Sequence, residues 1–449
     1  MSKMEKNRKT ERDEFRSKMG FIIACIGSAV GMGNIWMFPY RTGSFGGAAF
    51  LIPYFIFVIL LGFSGEIGEM AFGRGMKTGP LGAFAGAMEL RFGKKGRIPG
   101  RAIGMIPVIG SLGIAIGYSV VVGWFLKYLF SAATGSLTKV QDMGAYFGAL
   151  AVDFGSIGWQ MLGLALTFLI MILGVAKGIE KMNKIMMPVF FVFFLILMVR
   201  VLTLPGAFGG LRYMFVPQWE QLGNVKTWVY ALGQAFFSLS LAGSGTIVYG
   251  SYLNKDADVV ECAKNVAFFD TCAALLAGMV VIPAVFAFGL DVSSGPPLMF
   301  ITLPVVFQQM PLGNLFAVVF FIAVLFAAIT SLMNLFETPI EALQEQFKLS
   351  RGASVGVTAV ISASVGIFIE SGDKVGAWMD AVSIYIIPLG ALLAGIMFFW
   401  VCPKGYAREQ VELGAAKSLG RWFEPLTKYV FVGITLIVYI LGIFFGGIG

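Results

Sequence analysis

Apolar residues run through this chain in long blocks separated by short polar ones, not at the spacing of a half-exposed helix. Eleven blocks lie at about 19–39, 48–72, 103–131, 159–176, 186–204, 227–253, 265–289, 314–346, 353–371, 380–402 and 422–447. A helix crossing a bilayer needs about 17–25 residues, more if tilted. The pattern therefore predicts an all-α polytopic membrane protein with eleven transmembrane helices. Between the seventh and eighth blocks, SSGPPLMFITLPVVFQQMPLG is apolar but too broken by proline to span. It is expected to be a structured outer loop packed back onto the protein. The segment at about 132–158 is weakly polar and is placed outside as well.

Two blocks are interrupted at their centres. The first carries GSAVGMGNIWMFPY at 27–40, where Gly31 and Gly33 flank Met32 and Asn34 follows. Glycine costs about 1 kcal/mol of helix stability relative to alanine. Backbone that leaves the helix inside a membrane is tolerated only where protein or a water-filled cavity satisfies it. The sixth block carries FFSLSLAGSG at 236–245, with serines 238, 240 and 244 interleaved with Gly243 and Gly245. Helices one and six are thus expected to unwind at mid-membrane. The two breaks are five spans apart, an odd number, so they run in opposite senses. Paired interruptions of this kind point to the binding site of a secondary transporter built from inverted repeats. The expected organisation is a tail at 1–18 and a single transporter domain at 19–449. Repeat one covers about 19–204, repeat two about 227–402, and an extra helix about 422–447. An unwound turn frees carbonyls, which suit Na⁺, and amides, which suit a carboxylate.

Composition narrows the chemistry. The chain is 57% apolar and 13% charged, with mean hydropathy +0.83. Its 58 glycines fit closely packed membrane helices. It has no histidine, which removes zinc-protease motifs, haem ligation through histidine and histidine proton relays. No GxxxxGK[ST] motif is present, which argues against an ATP-driven pump, and no nucleophile–base pair marks an enzyme. Cys25, Cys262, Cys272 and Cys402 form no CxxC pair, so neither a disulfide nor a metal–thiolate centre is expected. The first eighteen residues are charged and of mixed sign, without the apolar core of a cleavable signal. The net charge of +8 does not point to nucleic acid, because its distribution explains it better. The tail and the loop between blocks two and three hold seven Lys and Arg each, and alternate loops differ by 25 to 5. By the positive-inside rule the N-terminus is cytoplasmic in a plasma-membrane protein, and eleven spans put the C-terminus outside.

Within the blocks, a few polar groups stand out. Asp270, in FFDTCAALLAG, costs roughly 2.5–3.5 kcal/mol on insertion scales and needs a partner, either a bound cation or hydrogen bonds. Ala327, Thr330 and Ser331 share a helical face and could complete a cation site or bond their own backbone. Glu66 and Glu69 lie toward the cytoplasmic end of the second block, where Glu69 either braces unwound backbone or pairs with Arg74. Glu337 receives no role. Tyr118 offers a hydroxyl in an apolar stretch. Gly178 and Pro188 bracket the start of block five, as a plain helix start or as an inner gate that melts to admit water.

Together these residues resemble the neurotransmitter:sodium symporter family, in particular its bacterial amino-acid branch with the LeuT-type fold. GSAVGMGNIWMFPY followed by GGAAFLIPY resembles the family's first span. EMAFGR resembles the second, FFSLSLAGSG…YGSY the sixth, IPAVFAFG the seventh and FAAITS the eighth. The resemblance implies a Na⁺-coupled amino-acid symporter with two sodium sites, working by alternating access in a lipid bilayer, for which a monomer suffices. It assigns a first sodium to Ala29, Asn34, Ser238 and Asp270 with the substrate carboxylate. A second falls on Gly27, Val30, Ala327, Thr330 and Ser331. Substrate is expected at Ala29, Gly31, Met32, Gly33, Ile114, Tyr118, Phe237, Ser238, Ser240, Gly243, Ser331 and Leu335. Gating is expected at Arg12 with Glu345, at Gly178 and Pro188, and at Asp380.

The departures are informative. Met37 stands where the family's outer-gate arginine would pair with Asp380, and Arg41 lies one turn on. Chloride-dependent relatives have a neutral asparagine and a nearby serine where this chain has Asp270 and Ala274, which implies chloride independence. Amine carriers hold their substrate with an aspartate at the position of Gly31. Glycine there implies an amino acid, and the apolar pocket implies a large hydrophobic or aromatic one.

Overall fold

A computed structural model describes residues 14–241, 244–292 and 298–446. The described residues are helical, with no strand among them. Among the described residues, eight helices are long and apolar enough to cross a membrane, or nine if one bent pair counts as a single span. That pair is α1 (Lys18–Ala29) and α2 (Gly33–Ser44), which meet at 51°. The others in the first half are α3 (Ala48–Met76), the α4–α5 hairpin within Pro80–Ala133, and α7 (Val175–Leu202), with the shorter apolar α6 (Ile157–Met171) before it. The second half begins with a broken element, α8 (Val225–Ser238) and α9 (Gly245–Ser251). Then follow α10 (Val259–Ala287), the short α11 (Leu298–Gln309), α12 (Gly313–Phe347), α13 (Arg351–Ile369), α14 (Gly372–Val401) and α15 (Phe423–Phe445).

Several boundaries differ from the sequence reading. The third block is preceded by a helix that the hydropathy pattern missed. α4 (Pro80–Phe92) folds back on α5 (Arg97–Ala133) so closely that a Cβ on Gly104 would sit 2.9 Å from Leu81 Cα. The lysine pair in its turn at 93–96 hid it. Block five begins at Val175 and not at 186, because Lys177, Lys181 and Lys184 lowered the hydropathy of turns that are nonetheless helical.

Packing between α3 and α9 is backbone on backbone. A Cβ on Gly73 would overlap the Ile247 carbonyl, and one on Gly250 would lie 2.5 Å from the Met70 carbonyl. Close approach through small residues is how membrane helices gain dispersion energy without a hydrophobic drive. The proline-rich segment does pack inward where it is described. Phe300 is buried among Trp36, Trp124, Phe125, Tyr128 and Phe147, and Tyr128 Oη donates to its carbonyl at 2.7 Å. This places α11 as a roof beside the first break.

Candidate functional site

The first break begins where Val30 turns extended (φ −70°, ψ 104°) and its N–H closes onto the Ile26 carbonyl at 2.7 Å. The following amides find side chains in place of helical carbonyls. Gly31 N–H donates to Asn34 Oδ1 at 3.1 Å, and Met32 N–H donates to Tyr118 Oη at 3.1 Å. Gln234 Nε2 donates to the Gly33 carbonyl at 2.8 Å. Buried backbone polar groups must be paired, and here three side chains do what water would do at a surface. The second break lies across from the first. α8 ends at Ser238, and Ser240 and Ser244 both take left-handed conformations, at φ 54° and 55°. Such backbone is costly for a residue other than glycine and concentrates at functional sites. Ser240 Oγ donates to the Ser28 carbonyl at 3.0 Å, so the two interruptions hold one another.

Beside them sits a buried polar cluster. Asn34 Nδ2 donates to Asp270 Oδ1 at 2.7 Å, to the Asp270 carbonyl at 3.0 Å and to Ser238 Oγ at 3.2 Å. Ser238 Oγ donates to Asp270 Oδ2 at 2.6 Å, and Tyr54 Oη lies 3.5 Å from the same hydroxyl. All three residues of the cluster are buried. Three of the four residues expected at the first sodium are therefore in mutual contact. The fourth, Ala29, closes α1 and lines the adjacent cavity. Among the described residues no three of Cys, Asp and Glu gather to hold a divalent metal. The cluster holds one carboxylate beside a hydroxyl and an amide that presents its Nδ2, and a lone carboxylate among neutral groups suits a hard monovalent cation more than a divalent one.

The expected second set is also brought together. The Cβ position of Gly27 is 3.1 Å from Thr330 Cβ, and that of Gly31 is 3.0 Å from Ser331 Oγ. Thr330 Oγ1 donates to the Phe326 and Ala327 carbonyls at 3.0 Å each, the local bonding expected of a membrane-helix threonine. Its lone pairs stay available to a cation. Val30 and Ala327 are buried at the same crossing of α1 and α12.

A cavity of about 530 Å³ runs from these breaks to exposed Asp373 and Asp380. Ala29, Gly31, Met32, Gly33, Ile114, Tyr118, Phe237, Ser240, Ser331 and Leu335 all line it, as the sequence reading expected. Ser238 does not, being turned into the Asp270 cluster, and Gly243 lies outside the described residues. Asp380 lines the far end together with Met37 and Arg41, and the Arg41 guanidinium stacks 4.3 Å over the Tyr230 ring.

The opposite face is sealed. Arg351 Nη1 and Nη2 donate to Glu337 at 2.6 and 2.8 Å, and Tyr252 Oη donates to the same carboxylate at 2.8 Å. Thr78 Oγ1 donates to Glu345 and, at 3.2 Å, to Glu341. Arg12 lies outside the described residues. Gly178 and Pro188 stand within one continuous helical run, closed in this structure.

Sequence reasoning missed Gln234, Tyr54 and Asn183, the last of which packs its Oδ1 where a Cβ on Gly27 would stand. Gln234 was legible as a lone amide in apolar surroundings, VYALGQAFF, whereas Asn183 sits between Lys181 and Lys184 and gave no such signal. Glu66 is fully buried, and Glu69 does not pair with Arg74. The Arg74 guanidinium instead donates to the carbonyls of Ala257, Lys255 and Gln410.

The model of the sodium:neurotransmitter symporter family matches residues 12–146 and 140–445. The chain belongs to this family. It is 39% identical over 332 residues to the uncharacterized sodium-dependent transporter YhdH of Bacillus subtilis (strain 168), covering 72% of this chain and 71% of that one. It is 32% identical over 447 residues to the uncharacterized sodium-dependent transporter MJ1319 of Methanocaldococcus jannaschii, covering 94% and 88%. Among solved structures it matches MhsT in complex with L-phenylalanine, with a TM-score of 0.84 and 34% identity, covering 96% of this chain and 100% of that one. This symporter is thus a sodium-dependent membrane transporter with the LeuT-type fold, and not an enzyme.

Proposed function

We propose that this symporter couples Na⁺ entry to the import of amino acids with large apolar or aromatic side chains. The observation that carries the reading is the Asn34–Ser238–Asp270 cluster, set where both broken helices meet the cavity. A sodium held there by Asn34, Ser238, Asp270 and the Ala29 carbonyl would also contact a substrate carboxylate lying along Gly31–Gly33. Tyr118 would move its hydroxyl from the Met32 amide to that carboxylate. The substrate side chain would lie against Ile114, Phe237 and Leu335, with Gly243 leaving room. Glycine at position 31 leaves no counter-charge for an amine, so the ligand needs its own carboxylate. The phenylalanine in the MhsT complex supports an aromatic substrate here.

A second sodium at Gly27, Val30, Ala327, Thr330 and Ser331 would tie α1 to α12 and favour the state closed on the Glu337 side. Opening that side needs release of the Glu337–Arg351 and Thr78–Glu345 contacts, and a local loosening between Gly178 and Pro188. The fixed charge of Asp270 takes the place of chloride, so transport is chloride-independent. The bent α1–α2 pair, the α8–α9 pair and α6 bring the count of spans to eleven, with the N-terminus cytoplasmic and the C-terminus outside.

Uptake of labelled phenylalanine, leucine and tryptophan into proteoliposomes tests this. Flux is expected with an inward Na⁺ gradient, in chloride or gluconate alike. Flux that ignores sodium sinks the coupling.

A further inference from the structure

A second cavity, of about 480 Å³, lies on the face that carries the N-terminal segment, where Arg16 meets the start of α7. Its cations are Arg16, Lys177, Lys181 and Lys184, and its one carboxylate is Glu180. That carboxylate is already committed. It accepts the Arg16 N–H at 2.7 Å, the Ser17 hydroxyl at 3.2 Å and Lys184 Nζ at 2.5 Å. The side chains of Arg16, Lys177 and Lys181 form no ion pair among the described residues.

The lysines stand in an unfavourable place. Positions 177, 181 and 184 share one helical face, where like charges four apart repel. They also occupy the first turns of a 28-residue helical run, whose N-terminus is the positive end of the helix dipole. Glu180 offsets the charge of Lys184 alone and leaves Lys177 and Lys181 without a counter-charge, which an anion would supply. The surroundings indicate which anion. Leu173 lines the cavity and is 58% exposed, with Ile172 and Ile185 each 50% exposed beside it. Only 33% of the most apolar stretch of α7 is buried inside the protein. Lipid therefore reaches this helix along its length, and a soluble anion would leave the apolar rim bare.

We infer that this cavity is a binding site for the phosphate headgroup of an anionic phospholipid, whose acyl chains lie along α7. The bound phosphate would bridge Arg16 and Lys181, adding a second clasp to the one that Glu180 makes between the N-terminal segment and α7. The site is separate from the transport cavity, and its occupancy is read without substrate or sodium.

The test places the full-length protein in nanodiscs of phosphatidylcholine with or without one-fifth phosphatidylglycerol, and counts retained lipids by native mass spectrometry. The wild type is expected to retain phosphatidylglycerol selectively. The Lys177→Gln/Lys181→Gln variant is expected to lose that selectivity by roughly 30-fold, the effect of two interfacial cations. Lys94→Gln/Lys95→Gln, an equal charge change in the exposed turn of the α4–α5 hairpin, is expected to keep it. Melting curves in phosphatidylcholine alone establish that both variants are folded. Equal retention in all three proteins, or equal loss in both variants, overturns the site. Displacement of phosphatidylglycerol by millimolar inorganic phosphate assigns the cavity to a free anion and overturns the lipid.

Discussion

Replacing Asp270 by asparagine is the sharpest test of the proposed sodium chemistry. The substitution keeps the side-chain volume and one acceptor, and it removes a charge whose oxygens are held 2.7 Å from Asn34 Nδ2 and 2.6 Å from Ser238 Oγ. A monovalent cation about 4 Å from the carboxyl carbon, at an effective dielectric of about 20, is attracted by about 4 kcal/mol. The retained amide oxygen returns about 1 kcal/mol of this. The difference of about 3 kcal/mol is a loss of roughly a hundredfold in sodium affinity. Trp36 and Trp124 line the cavity, so sodium titration at fixed substrate can be followed by intrinsic fluorescence. The midpoint is expected to move by that factor, and added chloride is expected to recover part of it by restoring the missing charge. A midpoint that moves less than about threefold would refute the reasoning and leave Asp270 as a hydrogen-bonded structural acid.

Two further outcomes follow from the geometry. Arg351→Ala leaves the fully buried Glu337 carboxylate without its guanidinium, a change that costs about 3–5 kcal/mol. The melting temperature should fall, and Glu337→Gln in the same background should restore part of it. Gly31→Ala puts a Cβ 3.0 Å from Ser331 Oγ and 3.1 Å from Tyr118 Oη. Crowding of about 1–3 kcal/mol should weaken equilibrium phenylalanine binding about fivefold or more, beyond any fall in the melting temperature without ligand.

The sequence disclosed helices where apolar character alone decides them and misplaced them where charge intervenes. The first break was legible because Gly31, Gly33 and Asn34 are poor residues for a plain span. The carboxylate of Asp270 was legible because an acid in an apolar block has few acceptable explanations. Their joining was not legible from pattern alone. Asn34 and Asp270 are 236 positions apart, and only the likeness to a family of known fold put them together. α4 stayed hidden because its turn is a lysine pair, and the first turns of α7 because their lysines read as loop. Glu337 was left without a role because its partners, Tyr252 just past α9 and Arg351 at the start of α13, come from elsewhere in the chain. Gln234 was passed over although a lone amide in an apolar helix has to bond something, and here it bonds the Gly33 carbonyl.

The glycine contacts between α3 and α9 carry a mechanical consequence. With the Gly73 and Gly250 backbones against the Ile247 and Met70 carbonyls, no side chain stands between the two helices at these positions to act as a compliant layer. Interlocked backbones resist shear, because sliding by even part of a turn drives Cα atoms into carbonyls. The second break therefore ends on a stiff anchor. Movement of α9 is therefore expected to carry α3 with it as one unit.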